Sequence, residues 1–361
     1  MYTENNLRQM GRLIGEISKG RILTREEACD AYRQIVLNEQ PELQQGAFLL
    51  AHIMRGPTTE ELAGVWDALD RYDTAKIKTV RTGAICDIVG TGSDALKTVN
   101  CSTPAAAIAA ACGLTMAKKG ARLVTGVSGA SDILEELGLD LSAPLSKAQE
   151  SLDRHGICYL PGEAFLKSGW ARLIQSMRFT SAFNIIGPLT MPCPQTDSIV
   201  IGAYSPVVCA QLIEILRELK MPAAISPFGM ADGISDTLGM DEFSPCGTTR
   251  VAQLQKGSIT TYDIRPEDFG VKTVKFESIS SRNTAAENAS LIAGILREKR
   301  AEEPLSDLFC MNSGAALFIS GMVSSFKEGT EKSRQAVADG HAWTKMQELI
   351  SAQGGNYDLK K

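Results

Sequence analysis

The sequence predicts an α/β protein: a small N-terminal helical domain followed by a large α/β domain with a mostly parallel central sheet. Three observations carry this expectation. The first eighty or so residues repeat a helical spacing between short breaks. After Ala84 the pattern changes to apolar runs alternating with helices. A glycine-rich turn at Gly90 follows the first of those runs at once. With 361 residues, 44% of them hydrophobic, the chain is long enough for two cores.

The helical opening has clear punctuation. Leu7, Ile14 and Ile17 recur on one helical face. Thr24 with Glu27 three residues later forms a capping box, and Ala31 and Ile35 continue behind it. Pro41 opens a third helix through Phe48, Leu49 and Ile53, which Gly56 and Pro57 stop. Thr58 with Glu61 forms a second capping box before Leu62, Val65 and Leu69. Short connections favour antiparallel neighbours.

Beyond these helices, residues 84–89 read as a buried strand and residues 114–117 as the next one. A small-residue helix (Pro104, Ala105, Ala106, Ala107, Ala109) lies between them, and Ser131 and Asp132 open another. Further strands are expected at 199–203, 223–226 and 249–254, and helices at 286–299 and 312–325. Residues 229–239, rich in Gly, Asp and Ser, read as a flexible loop. The expected domains are 1–78, completed by a returning segment near 165–195, and 79–164 with 196–361.

Composition excludes several classes. A net charge of -5 provides no electrostatic footprint for nucleic acid or an anionic membrane. Nine cysteines are scattered without a C-x-x-C pair, and Cys101, Cys112 and Cys158 sit in apolar stretches, which suits reduced thiols in a cytoplasmic protein. The polar N-terminus predicts no signal peptide, and no apolar run is long enough to cross a bilayer. His52, His155 and His341 are far apart and have no metal-ligand spacing, so structural roles are expected.

Two segments carry chemistry. Gly90-Thr91-Gly92-Ser93-Asp94 lets backbone approach a ligand, with successive N–H groups forming an anion nest. Asn100-Cys101-Ser102-Thr103 then opens a helix, adding hydroxyls and orphan N–H donors. Lys118, ending the next strand, is placed to supply positive charge. Far downstream, Asp241-Glu242 in a Gly/Pro-bounded loop suits an oxygen-loving divalent cation such as Mg²⁺.

Together these segments resemble the anthranilate phosphoribosyltransferase family, a relative of the pyrimidine nucleoside phosphorylases, over nearly the whole chain. The matching motifs are Asp87-Ile88-Val89-Gly90-Thr91-Gly92, Asn100 with Ser102 and Thr103, Ser128-Gly129-Ala130-Ser131-Asp132 and Phe183-Asn184-Ile185-Ile186-Gly187-Pro188-Leu189. The run from Gly239 to Pro245 and Thr249-Arg250-Val251-Ala252 complete the set. The resemblance implies 5-phosphoribosyl diphosphate (PRPP) on Gly90, Gly92, Ser93, Asp94, Thr98, Asn100, Ser102, Thr103, Lys118, Gly120 and Gly126. It implies Mg²⁺ on Ser102, Asp241 and Glu242, transfer to anthranilate or a related aromatic or nitrogen-base acceptor without a covalent enzyme intermediate, and a homodimer. The active site is expected between the two domains.

Departures from the family pattern fall on the acceptor side, for which Gly90, Ala121, Arg172, Ile174 and Arg178 are the candidates. The family's K-H-G-N-R is Lys118-Lys119-Gly120-Ala121-Arg122, so its His is Lys119 and its acceptor-contacting Asn is Ala121. Its Lys before S-G is Val127, Ser93 stands for a usual Gly, and Lys97 stands where a small polar residue is usual. The arginine that pairs with the anthranilate carboxylate falls at Ile174, with Arg172 and Arg178 as neighbours. Losing that pairing removes roughly 1.5–3 kcal/mol. Residues 229–238 look like added length. Two alternatives stand beside a phosphoribosyltransferase: a phosphate-dependent nucleoside phosphorylase-like enzyme, or a non-catalytic nucleic-acid-binding relative using Lys118, Lys119 and Arg122 as a basic patch.

Overall fold

The structure is a computed structural model that describes residues 3–92, 94–122, 127–167, 169–177, 179 and 181–357, without the side chains of 174–176 and 236. In chain order it runs α1 (Glu4–Ile17), α2 (Arg25–Val36), α3 (Glu42–Arg55), α4 (Thr59–Ala68), β1 (Ile85–Gly90), α5 (Ser102–Ala111), β2 (Thr115–Gly120), α6 (Ala130–Glu136) and α7 (Leu145–His155). Then come β3 (Ile157–Pro161), α8 (Gly162–Phe165), α9 (Ala171–Met177), α10 (Ala182–Ile186), β4 (Ser198–Gly202) and α11 (Pro206–Glu218). The remainder is β5 (Ala223–Ala231), β6 (Ser235–Met240), β7 (Thr249–Gln255), β8 (Ser258–Ile264), α12 (Ala285–Arg297), α13 (Pro304–Ile319), α14 (Phe326–Ala338) and α15 (His341–Ala352).

Two compact units are present. The helical unit comprises Met1–Lys76, Phe165–Pro192 and Glu214–Leu219. Both capping boxes, Thr24/Glu27 and Thr58/Glu61, are formed. Its core is aromatic: Tyr32 meets Phe48 and Phe183 edge-on at 5.4 and 5.2 Å, and Trp170 stacks on Phe183. The Asp73 carboxylate accepts the N–H groups of Gly169 and Trp170 at 2.7 and 2.8 Å, which ties the returning segment down. Glu214–Leu219 lies in this unit and not, as expected from sequence, in the α/β domain; Glu218 pairs with Arg25 at 3.3 Å.

The α/β unit comprises Ile77–Ala164, Cys193–Ile213 and Lys220–Lys361. Its sheet has the order β3-β2-β1-β4-β5-β7-β8, with β6 paired to β5. The first five strands are parallel, and β6, β7 and β8 add antiparallel pairs. Helix α5 is alanine-rich and buried, and it packs against α13 and α15, where small side chains permit close approach.

Three expectations need correction. Residues 229–239 are not a flexible loop but the β5–β6 hairpin. Its turn carries Asp232-Gly233, with Gly233 at φ +78°, and turn chemistry of this kind closes hairpins rather than opening loops. Helix α13 begins eight residues before the expected 312 because Pro304 sits at its first turn. Strands β3 and β8 have no counterpart among the expected elements. β3 is buried throughout and shows no alternation to read, while the mostly exposed β8 pairs along one edge of β7.

Candidate active site

The sheet order reverses between β1 and β4, and ligands of parallel sheets collect at the carboxyl ends of strands at such a switch point. Gly90 and Gly202 are the last registered pair of these two strands. A Cβ on Gly90 would collide with the Asp241 carboxylate, and one on Gly202 with the Asp241 backbone, so two bare positions form a slot for the downstream acidic segment. Gly92 turns the chain at φ +73°, a left-handed conformation suited to glycine, and its N–H donates to Asp241 Oδ2 at 2.7 Å. The N–H groups of Ala95 and Leu96 both donate to the Gly239 carbonyl, at 3.1 and 3.0 Å. The glycine loop and the acidic segment, distant in sequence, are therefore hydrogen-bonded into one structure.

Asp94, Asp241 and Glu242 each place a carboxylate oxygen within 4.8 Å of the others. Lys97 Nζ donates to Asp94 Oδ1 at 2.6 Å and to the Gly92 carbonyl at 2.9 Å, and the Thr98 hydroxyl donates to Glu242 Oε1 at 3.2 Å. Glu242 Oε2 is buried and receives no hydrogen bond from any described residue. Burial pushes all three carboxyls upward. The charge of Asp241 adds to the shift at Asp94 and Glu242, and the Gly92 N–H only partly offsets it at Asp241. Three buried oxygens that resist ionisation, one of them orphaned, fit a hard divalent cation such as Mg²⁺.

The acids are held from behind. Phe243 packs against Phe269 and Phe326 with centroids 5.3 and 5.7 Å apart. Its N–H donates to Asn312 Oδ1 at 3.0 Å, while Asn312 Nδ2 donates to its carbonyl at 3.1 Å. The Ser244 hydroxyl donates to the Met230 carbonyl at 2.7 Å. A buried aromatic anchor of this kind contributes roughly 1.5–3 kcal/mol.

At the start of α5, Asn100 Oδ1 accepts the Thr103 N–H at 3.3 Å, and the buried Thr103 hydroxyl has no partner among the described residues. Lys118 Nζ donates to the Ile88 carbonyl at 2.8 Å and to Ser102 Oγ at 3.0 Å. Burial, opposed by the Asp87 charge, lowers the Lys118 ammonium to about 8. Ser102, expected beside the metal pair, thus has its hydroxyl on Lys118, and Asp94 is the third carboxylate. Gly120 ends β2. Ser93 and Gly126 lie outside the described residues.

The cations near Ala121 do not form the basic patch that the nucleic-acid-binding alternative requires. Lys119 is 3% exposed, its N–H donates to Asp87 Oδ1 at 3.2 Å, and its ammonium is ion-paired with Asp87 Oδ2. Arg122 forks onto Asp132 and Glu135, while its N–H donates to Glu163. In the helical unit, Arg172 Nη2 donates to the Ile35 carbonyl at 2.9 Å and to Gln45 Oε1 at 2.8 Å. Its Nη1 is buried and has no hydrogen-bond partner among the described residues. Ile174 lies in α9 with its side chain undescribed, and Arg178 is outside the described residues.

The sequence matches the glycosyl transferase family a/b domain over residues 82–343 and the same family's helical bundle domain over residues 12–72. It is 32% identical to the anthranilate phosphoribosyltransferase of Methanothermobacter thermautotrophicus, covering 94% of this chain and 97% of that one. This chain belongs to the anthranilate phosphoribosyltransferase family. The Haloarcula marismortui member is 33% identical, covering 95% of this chain and all of that one. The crystal structure of the Thermus thermophilus member superposes with a TM-score of 0.82 at 29% identity, covering 94% of this chain and 98% of that one.

Four positioning features escaped the sequence reading: Gly202, the Gly239 carbonyl, Asn312, and the 279–281 segment, which receives the Val99 N–H and donates to the Lys97 carbonyl. Gly202 had a signal, because it lies within a strand expected at 199–203. The others act through backbone groups or from inside a helix, where composition is silent.

Proposed function

We infer that this chain transfers the 5-phosphoribosyl group of PRPP to an aromatic amine, anthranilate or a related acceptor, and releases diphosphate. The observation that carries this reading is the carboxylate cluster of Asp94, Asp241 and Glu242 laid against a phosphate-type glycine loop at the sheet's switch point. The relatives are named for this reaction, and a Saccharomyces cerevisiae member of the same fold is in complex with PRPP and Mg. With anthranilate as acceptor, the reaction belongs to tryptophan biosynthesis.

In this reading the loop N–H groups around Gly90 and Gly92, the start of α5 (Asn100, Ser102, Thr103), Thr98, Lys118 and Gly120 bind PRPP, with Ser93, Asp94 and Gly126 assigned to the same task. Asp241 and Glu242, with Asp94 as the third carboxylate, would hold Mg²⁺, which would neutralise charge on the departing diphosphate. The chain's contribution is positioning: it holds the anomeric carbon open to the acceptor nitrogen while loop and helix dipoles face the leaving group. No side chain need form a covalent bond. The acceptor side is assigned to Gly90, Ala121 and the 174–178 stretch. With Ile174 at the position of the family's carboxylate-pairing arginine, anthranilate is expected to bind about one to two decades more weakly than an arginine-paired carboxylate would.

The test is calorimetric titration of PRPP with and without Mg²⁺, alongside chromatographic measurement of anthranilate consumption and diphosphate release. Metal-dependent PRPP binding with diphosphate release supports the reading. Nucleoside cleavage by free phosphate without metal would replace it with phosphorolysis.

Assembly and location follow as smaller parts of the proposal. Leu43, Leu50 and Met54 are exposed on one face of α3, a stripe that suits a homodimer through the helical unit. Light scattering is expected to show a dimer that Leu43→Glu/Met54→Glu dissociates. No helix among the described residues is long and apolar enough to cross a membrane, and all nine cysteines are free, which supports a cytoplasmic protein.

A further inference from the structure

We propose that Asn288 is a positioning residue of the donor site: one buried side-chain amide ties the segment that carries Thr98 to the segment that packs on Gly120. The inference rests on the reading of Thr98 and Gly120 as PRPP-binding residues. Asn288 lies in the first turn of α12, beside the Thr284/Glu287 capping box, and is fully enclosed. Its Oδ1 accepts the Arg282 N–H at 2.8 Å. Its Nδ2 donates to Ser281 Oγ at 3.0 Å and to Ser128 Oγ at 3.2 Å. Both donors and the oxygen of the amide are in use. An amide enclosed and satisfied in this way holds its partners in place, because releasing one leaves a buried polar group unpaired.

One arm of the amide reaches the glycine-loop side. The Ile279 carbonyl accepts the Val99 N–H at 3.0 Å, the Ser281 N–H donates to the Lys97 carbonyl at 2.9 Å, and Thr98 bridges to Ser280 between them. The other arm reaches the entry to α6. Ser128 leads into that helix, where the Ser131 N–H donates to the Ala121 carbonyl at 3.3 Å and the Ser131 hydroxyl meets the Tyr159 hydroxyl at 2.7 Å. A Cβ on Gly120 would collide with Ala130 Cβ and the Tyr159 hydroxyl, so the start of α6 is the wall on which Gly120 rests. Thr98 and Gly120 come from different strand-to-helix connections, β1–α5 and β2–α6, and Asn288 fixes the spacing between them. Loss of that spacing weakens donor binding without removing any group that contacts the donor.

The test is calorimetric titration of PRPP in Mg²⁺ on the full chain, with steady-state kinetics and urea unfolding on the same proteins. Ser128→Ala removes one arm and is expected to weaken PRPP binding about fivefold, the scale of one neutral buried hydrogen bond. The KM for PRPP should rise by the same factor with kcat unchanged. Ser128→Thr keeps the hydroxyl and is expected to bind as the parent does. In an Asn288→Ala background, Ser128→Ala is expected to add nothing, since the bond is already gone. A Ser128→Ala protein that binds PRPP like its parent, whatever it loses in urea, makes the contact structural only; that overturns the proposal and leaves the PRPP reading standing. A Ser128→Thr protein as weak as Ser128→Ala, or independent multiplying effects of the two alanines, overturns it as well. If Asn288→Ala fails to fold, the two Ser128 variants decide alone. A parent that binds no PRPP overturns both readings.

Discussion

Glu61 in the helical unit and the Asp241–Glu242 pair in the α/β unit are buried carboxylates built in opposite ways. Glu61 is fully enclosed, and it accepts the N–H groups of Leu23 and Thr58 at 2.8 Å each, the Thr58 hydroxyl at 3.0 Å and the Arg55 guanidinium. Burial alone would raise its carboxyl; Arg55 and the backbone donors outweigh it and hold the group below the ordinary range. Asp241 has the Gly92 N–H, Glu242 has the Thr98 hydroxyl, and both are held above that range by burial, to which the Asp241 charge adds at Glu242. Where a carboxylate is structural the chain supplies its partners. Where it is kept for a ligand the chain withholds them, and the folded state carries the penalty until the cation arrives.

The largest expected effect comes from breaking the satisfied side. Glu61→Gln leaves Arg55 without its charge partner and weakens a helix cap, so urea unfolding should show a loss of roughly 3–5 kcal/mol. Metal affinity should not change. A loss under about 1 kcal/mol would erase the contrast between the two sites.

A pH effect of somewhat smaller size belongs to the same network. His52 is enclosed beside Tyr32, whose hydroxyl meets Nδ1 at 2.9 Å, and lies 3.5 Å from Glu61. Burial lowers His52 to about 4. The unfolded chain therefore binds this proton first, and stability is full above about pH 6.5 and falls as pH drops toward 4. Thermal melts across this window should show about 3 kcal/mol of acid destabilisation that His52→Gln does not share.

On the unsatisfied side the sign reverses. Asp241→Asn keeps an acceptor for the Gly92 N–H and removes one of three crowded negative charges. The metal-free variant is expected to be more stable than its parent by roughly 1–2 kcal/mol while losing Mg²⁺-dependent PRPP binding. Because these carboxyls are raised, the parent's deficit should grow as pH rises from about 4 and shrink on acidification, opposite to the His52 effect. Differential scanning fluorimetry at two pH values, with and without Mg²⁺, reads both. A destabilised Asp241→Asn would show that the chain does satisfy this carboxylate.

Much of this protein was legible in local sequence. Capping boxes at Thr24 and Thr58 mark helix starts because their hydrogen bonds span three residues, and both formed. The glycines at 90 and 92 announced a turn with backbone donors, and β1 ends there. The 229–239 hairpin was lost to its own composition, since Gly, Asp and Ser serve a tight turn as well as a loop. Lys119 was unreadable for a different reason. Whether it faced a ligand or Asp87 depended on the register of β2 against β1, which buried both charges together.

The sequence by itself determined the capped opening helices, the phosphate-type loop and the family, because these rest on short-range patterns and on motifs in a set order. Only the tertiary structure decided which charges remain available for chemistry. Lys119 and Arg122 look identical to usable cations in sequence, and each is consumed by a partner brought close by packing. Asp94 and Lys97 joined Asp241 and Glu242 because two bare glycines at paired strand ends let a distant segment lie across them. Coulomb interactions and desolvation depend on distances through space, and chain order does not encode those directly.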